Sequence, residues 1–218
     1  MVRLYIILVS LLLCCLSAQA QEVISEYNVD IVVHQNADFL ITETLTVISE
    51  GKKIRRGIFR DLPRTKLSGD VILPYQYNIK SVTRNGEKEP FSQSNDKNAK
   101  RVLIGDENVF LRPGQHEYVI IYTVKNEVLY FDDFDEVHWN VIGHNWAFPV
   151  LESRTTIHFP QDFRPLELNC FTGKIRSTRS DCIMSQYGSM FEIDATHPLN
   201  SYEAVSYTHL TLPTTPYV

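Results

Sequence analysis

Apolar and polar positions alternate with period two along much of the chain. From residue 23 to residue 33, Val23, Tyr27, Val29, Ile31 and Val33 fall on one face, and Glu26, Asn28 and Asp30 on the other. Alternation rich in β-branched residues predicts a half-buried strand. His34-Gln35-Asn36-Ala37-Asp38 reads as a turn. Phe39 to Ser49 resumes the pattern with Phe39, Ile41, Leu45 and Val47 inward, so the two segments predict a β-hairpin. Further strands are expected over Tyr75 to Val82, closed by an Asn85-Gly86 turn, and over Arg101 to Ile104. Gln115 to Lys125 alternates again, with Tyr118, Ile120, Tyr122 and Val124 together on one face. Glu136 to Ile142 and Val150 to Phe159 follow, and Leu166 to Phe171 and Met190 to Ile193 are weaker candidates. The polar stretch Ser92 to Lys100 reads as a hairpin loop.

No stretch after residue 20 carries an apolar stripe of period 3.6. Many short strands between turn signals predict an all-β fold, an antiparallel, immunoglobulin-like β-sandwich in which two open sheets bury one face each.

The two ends change this picture. Arg3 followed by an apolar run from Leu4 to Leu16 and by Ala18-Gln19-Ala20 has the layout of a secretory signal peptide, with cleavage expected after Ala20. Residues 205–218 begin Val205-Ser206-Tyr207-Thr208-His209-Leu210-Thr211-Leu212-Pro213-Thr214, which resembles the translation of a transposase adapter used in sequencing libraries. The expected organisation is therefore a signal peptide (1–20), one extracytoplasmic β-sandwich (21–204) cut from a longer parent, and an adapter-derived tail (205–218). A formal charge of −5 argues against a general nucleic-acid binder, and 44% hydrophobic with 22% charged residues argues against a disordered tail.

Several groups of residues bear on chemistry. Cys170 and Cys182, the cysteines left after the leader, predict one disulfide in an exported chain. Residues 52–66 form a basic segment, Lys52, Lys53, Arg55, Arg56, Arg60, Arg64 and Lys66, with Asp61 as its single acid. It reads as a solvated loop with internal ion pairs, or alternatively as a surface for anionic headgroups. Glu43 occupies an inward position between Ile41 and Leu45. A buried carboxylate needs a partner, and Arg56 or Arg60 is expected to supply it; the alternative is a catalytic acid. Asp132, Asp133, Asp135 and Glu136 cluster just before His138-Trp139-Asn140 and Trp146. Asp133, Asp135, Glu136, His138, Trp139 and Trp146 are the candidate interaction surface. Ser94-Asn95-Asp96-Lys97 fits Ser-x-x-Lys by chance, since its companion motifs are absent; no Gly-x-Ser-x-Gly, phosphate-loop or zinc-protease motif is present, and no cofactor is expected.

The chain also resembles a family of predicted bacterial membrane proteins, domain of unknown function 2207. The matching segments, in order, are Tyr27 to Ile31, Ile41 to Leu45, Arg56-Gly57-Ile58-Phe59-Arg60-Asp61-Leu62-Pro63, Leu111-Arg112-Pro113-Gly114-Gln115-His116-Glu117-Tyr118 and Asp133 to Gly143. Trp146, Pro149, Phe171-Thr172-Gly173 and Cys182 complete the set. The resemblance implies a signal peptide, this extracytoplasmic domain, and membrane helices further along the parent. It implies no activity for particular residues.

The functional expectation is a non-enzymatic domain of an integral membrane protein that binds a protein or envelope ligand outside the cytoplasm. Two alternatives stand beside it: an envelope glycan hydrolase using Asp133, Asp135 or Glu136, and a membrane-surface module using residues 52–66.

Overall fold

The computed structural model describes residues 21–68, 71–96, 99–125, 127–130, 135–160 and 165–211. The leader falls outside them. The strands begin with β1 (Val23–Val33), β2 (Phe39–Ser49), β3 (Gly57–Pro63), β4 (Thr65–Ser68), β5 (Val71–Pro74) and β6 (Gln76–Arg84). They continue with β7 (Glu87–Lys88), β8 (Phe91–Asp96), β9 (Ala99–Gly105), β10 (Gly114–Lys125), β11 (Leu129–Tyr130) and β12 (Asp135–Ile142). The last are β13 (Val150–His158), β14 (Pro165–Gly173), β15 (Cys182–Tyr187), β16 (Met190–Ala195) and β17 (Ala204–Thr211). The fold is all-β and sandwich-like.

One layer is an eight-stranded sheet in the order β15-β16-β13-β1-β2-β10-β6-β7. The other is built from a four-stranded sheet, β11-β12-β17-β14, and a three-stranded sheet, β3-β9-β8. A small β4-β5 ribbon stands beside them. Pairing is antiparallel except between β1 and β13, which run parallel. The β1–β2 hairpin follows the alternation closely, with Tyr27↔Leu45, Val29↔Glu43 and Ile31↔Ile41 opposite one another. A register shift between Ile24 and Glu26 lets both Val23 and Ile24 turn inward, which strict alternation forbids.

The layers share one core. Phe39, Ile41, Leu45 and Val47 from β2 and Tyr118, Ile120, Tyr122 and Val124 from β10 are buried. They meet Val137, Trp139 and Val141 from β12 and Ile58, Leu62, Val102 and Ile104 from β3 and β9. Trp139 sits edge-on to Phe39 and Tyr75, with ring centroids 6.0 and 5.7 Å away. Such aromatic pairs add about 1 kcal/mol each beyond the apolar area they bury.

Three segments differ from the sequence expectation. Ser92 to Asp96, read as loop, belongs to edge strand β8, paired with β9 through Gln93↔Val102 and Asn95↔Lys100. Its residues from Ser92 to Asp96 are exposed, so no buried face left an apolar period to read. The basic segment contains β3, whose alternation is masked because Arg60 takes an inward position between Ile58 and Leu62. Residues 204–211, which include the start of the adapter-like stretch, form β17 between β12 and β14, with Val205 and Tyr207 buried. Residues 212–218 are outside the described residues.

Candidate functional site: a sealed ion pair and an exposed arginine–phenylalanine platform

The inward positions of β2 and β3 bring Glu43 and Arg60 face to face between the two layers. Both are sealed, at 0% and 2% exposure. Arg60 Nη2 donates to Glu43 Oε1 at 2.7 Å and Nε donates to Oε2 at 2.8 Å, a two-pronged contact. The Tyr122 hydroxyl donates to Oε1 at 2.6 Å and the Tyr27 hydroxyl to Oε2 at 2.8 Å. Arg60 Nη1 donates to the Asp61 carbonyl at 3.1 Å. The Trp146 ring lies 6.0 Å from the guanidinium and edge-on to Tyr27.

Gly143 makes room for this arrangement, since a Cβ there would stand 2.9 Å from Arg60 Nη1. Burial pulls against the Arg60 charge, but Glu43 and the two tyrosines outweigh it and hold its pKa above that of free arginine. Burial also pushes the Tyr27 and Tyr122 hydroxyls far above their ordinary range, with Glu43 acting in the same direction. Both carboxylate oxygens are engaged, and Glu43 is buried. This is the chemistry of a structural ion pair.

The structure corrects part of the sequence reading. Arg56 does not reach Glu43; it is exposed and lies over Phe110. Trp139 and Trp146 are core residues at 2% and 5% exposure, so they cannot form an interaction surface. Their indoles fill the space between the layers, as large aromatics do. Asp132 and Asp133 lie outside the described residues. Asp135 and Glu136 open β12, with Asp135 opposite Tyr130 and Thr211. Glu136 is half-buried and His138, two positions on, is exposed. Cys170 and Cys182 form a disulfide that ties β14 to the start of β15, joining an edge of each layer.

A second charged pair lies where β4 meets the residues after β10. Lys66 Nζ is 3.5 Å from Glu127 Oε2 and 5.5 Å from the centre of the Tyr75 ring. Desolvation lifts the Glu127 carboxyl to about 7, against the pull of Lys66.

The third feature faces outward. The loop after β2 is pinned by Glu22, whose carboxylate accepts from the backbone N–H groups of Glu50, Lys52, Lys53 and Ile54 at 2.8 to 3.2 Å. Burial opposes the Glu22 charge, yet these four donors hold its pKa below the usual value. Ile54 is buried, the Ser49 hydroxyl donates to its carbonyl, and Leu111 N–H donates to the Arg55 carbonyl at 2.8 Å.

Gly57 and Gly105 then face each other across β3 and β9 at φ of 142° and 126°. A Cβ on Gly57 would lie 1.8 Å from the Ile104 carbonyl oxygen, and one on Gly105 would lie 2.0 Å from that of Arg56. Only glycine fits either position.

From this fixed base Arg55 and Arg56 both project over the Phe110 ring, at 5.2 and 4.3 Å. Phe110 and Phe59 are each 56% exposed. Phe59 stands opposite Leu103 on the outer face and carries Arg101 at 5.3 Å, itself clamped by Asp61. Lys52, Arg60 and Lys66 have carboxylate partners, whereas among the described residues Arg55 and Arg56 have none within ion-pair distance.

With this geometry in hand, likeness to known proteins decides the family. The family described as "Predicted membrane protein (DUF2207) N-terminal domain" matches residues 23–211. The chain belongs to that family. Uncharacterized protein YciQ of Escherichia coli (strain K12) is 32% identical over 158 residues, which make up 71% of this chain and 25% of that protein. The DUF2207 domain thus spans about a quarter of its curated relative. Among solved structures, yeast LTA4 hydrolase is similar in its complex with bestatin (TM-score 0.54) and in its native form (TM-score 0.52). In both, identity is 10%, and the likeness covers 92% of this chain but 30% and 31% of the hydrolase. At that identity the likeness shows the fold alone.

Sequence reasoning missed Phe110, Phe59 and Leu103 as functional candidates. No local signal marks them, because their exposure follows from where β3 and β9 pair. The Gly57 and Gly105 positions were visible as glycines, but their mutual contact spans 48 residues of chain.

Proposed function

We propose that this DUF2207 domain is a non-enzymatic, extracytoplasmic interaction domain of an integral membrane protein, and that it meets its partner through the Arg55–Arg56–Phe110 platform. Membership of a predicted membrane protein family and the cysteine pair, which suits an oxidising compartment, support the location. One observation carries the binding reading: two arginines that have no carboxylate partner among the described residues are stacked on a half-exposed phenylalanine above an over-determined loop. Exposed aromatic and arginine side chains held rigidly are what binding energy concentrates on. The buried cluster most like an active site, Glu43 with Arg60, is closed and internally satisfied.

Cosedimentation of the purified chain with native envelope vesicles tests this. Arg55→Glu/Arg56→Glu is expected to lower binding at least tenfold, Glu136→Gln to leave it unchanged, and no sugar to be released from envelope glycan. Glycan release that disappears in Glu136→Gln would replace the proposal with the hydrolase alternative.

A further inference from the structure

We infer that the partner of this platform is the anionic phospholipid surface of a bilayer. The inference rests on the binding reading above and names its ligand. The face combines three features that a charged bilayer recognises. Among the described residues its cations, Arg55 and Arg56, have no carboxylate within ion-pair distance, and exposed Lys53 adjoins them. Its apolar groups, Phe59, Leu103, Val109 and Phe110, are all exposed. Both sets emerge from one rigid base fixed by Glu22, Leu111 and the Gly57–Gly105 contact. Aromatic side chains enter the boundary between headgroups and acyl chains while arginines take the phosphates.

Charge distribution favours a bilayer approached from one side. The whole chain carries −5, so an anionic surface repels most of it. Arg101, paired with Asp61 and lying over Phe59, adds positive charge beside the platform. Asp106 and Glu107, which line the same recess as Arg55, Arg56 and Phe59, and Asp61 beneath Arg101 oppose it. Among the described residues neither Arg55 nor Arg56 pairs with these acids, and Lys53, Arg55 and Arg56 outnumber Asp106 and Glu107 in the recess they share, so its balance is cationic. A membrane protein also keeps this domain close to a bilayer, which raises the local concentration of the surface it must find.

Protein-free vesicles test the inference. The chain is mixed with vesicles of phosphatidylcholine alone, or of phosphatidylcholine and phosphatidylglycerol at about three to one, and its bound fraction is measured by flotation. Each basic residue near an anionic surface is worth about fivefold in affinity. Phosphatidylglycerol should therefore strengthen binding at least tenfold, and raising salt should reverse most of the gain. Arg55→Glu/Arg56→Glu should remove the gain, and Phe59→Ala/Phe110→Ala should weaken binding severalfold at both salt levels. Lys88→Glu/Lys125→Glu, the same charge change at exposed sites elsewhere, should cost less than twofold.

Equal binding to both vesicle types, or equal losses from the two charge reversals, overturns the inference. Binding to native envelope vesicles that needs Arg55 and Arg56, with none to protein-free anionic vesicles, overturns the lipid assignment and leaves the interaction domain standing. Loss of neither kind of binding in Arg55→Glu/Arg56→Glu overturns both.

Discussion

Arg56 and Arg60 are four residues apart and meet opposite fates. Arg60 lies inside the sandwich, with Glu43 and the Asp61 carbonyl taking its hydrogens. Arg56 leaves the same short stretch of chain one residue before β3 begins and lies over an exposed ring. What separates them is strand phase. From Ile58 onward, alternate residues of β3 turn inward, and Arg60 falls on an inward position opposite the inward Glu43 of β2. Arg55 and Arg56 precede the strand, where the Gly57–Gly105 contact sets the direction of the chain. A run of like charges is therefore two devices, one holding the layers together and one facing outward.

Changes at the inner device should have the largest effect. Arg60→Met leaves the Glu43 carboxylate sealed without its cation, and breaking a buried pair costs about 3–5 kcal/mol. Thermal unfolding should show a fall of roughly 6–20 °C, at 2–4 °C per kcal/mol for a chain of this size. Glu43→Leu/Arg60→Met should recover much of that loss, because replacing both partners removes the stranded charge. A double variant no more stable than the single one would mean that the tyrosine hydroxyls at Tyr27 and Tyr122, not the ion pair, set the cost.

The disulfide comes next. The twelve-residue separation of Cys170 and Cys182 gives a loop whose closure is worth about 3 kcal/mol. Cys170→Ser/Cys182→Ser should lower the Tm by roughly 6–12 °C and leave vesicle binding unchanged, since β14 and β15 belong to sheets other than the β3-β9-β8 sheet that bears Phe59 and Leu103.

Glu127 separates the two kinds of charge by pH. Its folded pKa is raised to about 7 by desolvation, above the value of an exposed glutamate. The folded state then binds the proton more readily than the unfolded state, so this group's contribution to stability falls as pH rises from about 4.5 to 7 and levels off above that. Glu127→Gln should flatten the curve of Tm against pH in this window. An unchanged curve would show that Lys66 compensates the buried charge fully.

The smallest structural effect belongs to the outer device. Arg55→Glu/Arg56→Glu should alter stability by no more than about 0.5 kcal/mol per site, as exposed substitutions do.

Much of the fold was legible because β1, β2 and β10 bury one face each, and their apolar residues mark it with period two. The inward carboxylate of Glu43 was legible for the same reason: it interrupts an apolar face, so it demanded a cation. Which arginine answers depends on the phase of β3, and Arg60 itself obscured that phase. The strand β8 was hidden because its polar residues cover no core, and β15 because four of its six residues are exposed. The tryptophans were visible as large aromatics near acids, but the sequence alone does not say which face of β12 holds the core. The platform was half visible. Its arginines stood out as charge, whereas Phe110 joins them through the Leu111–Arg55 backbone contact, across 56 residues of chain.

The most direct test is the affinity of Arg55→Glu/Arg56→Glu for native envelope vesicles, measured where its thermal unfolding matches that of the parent chain. Two outward arginines with a binding role predict at least a tenfold loss with the fold intact. Undiminished affinity in a fully folded variant would contradict the division of this basic run into a structural and a binding part.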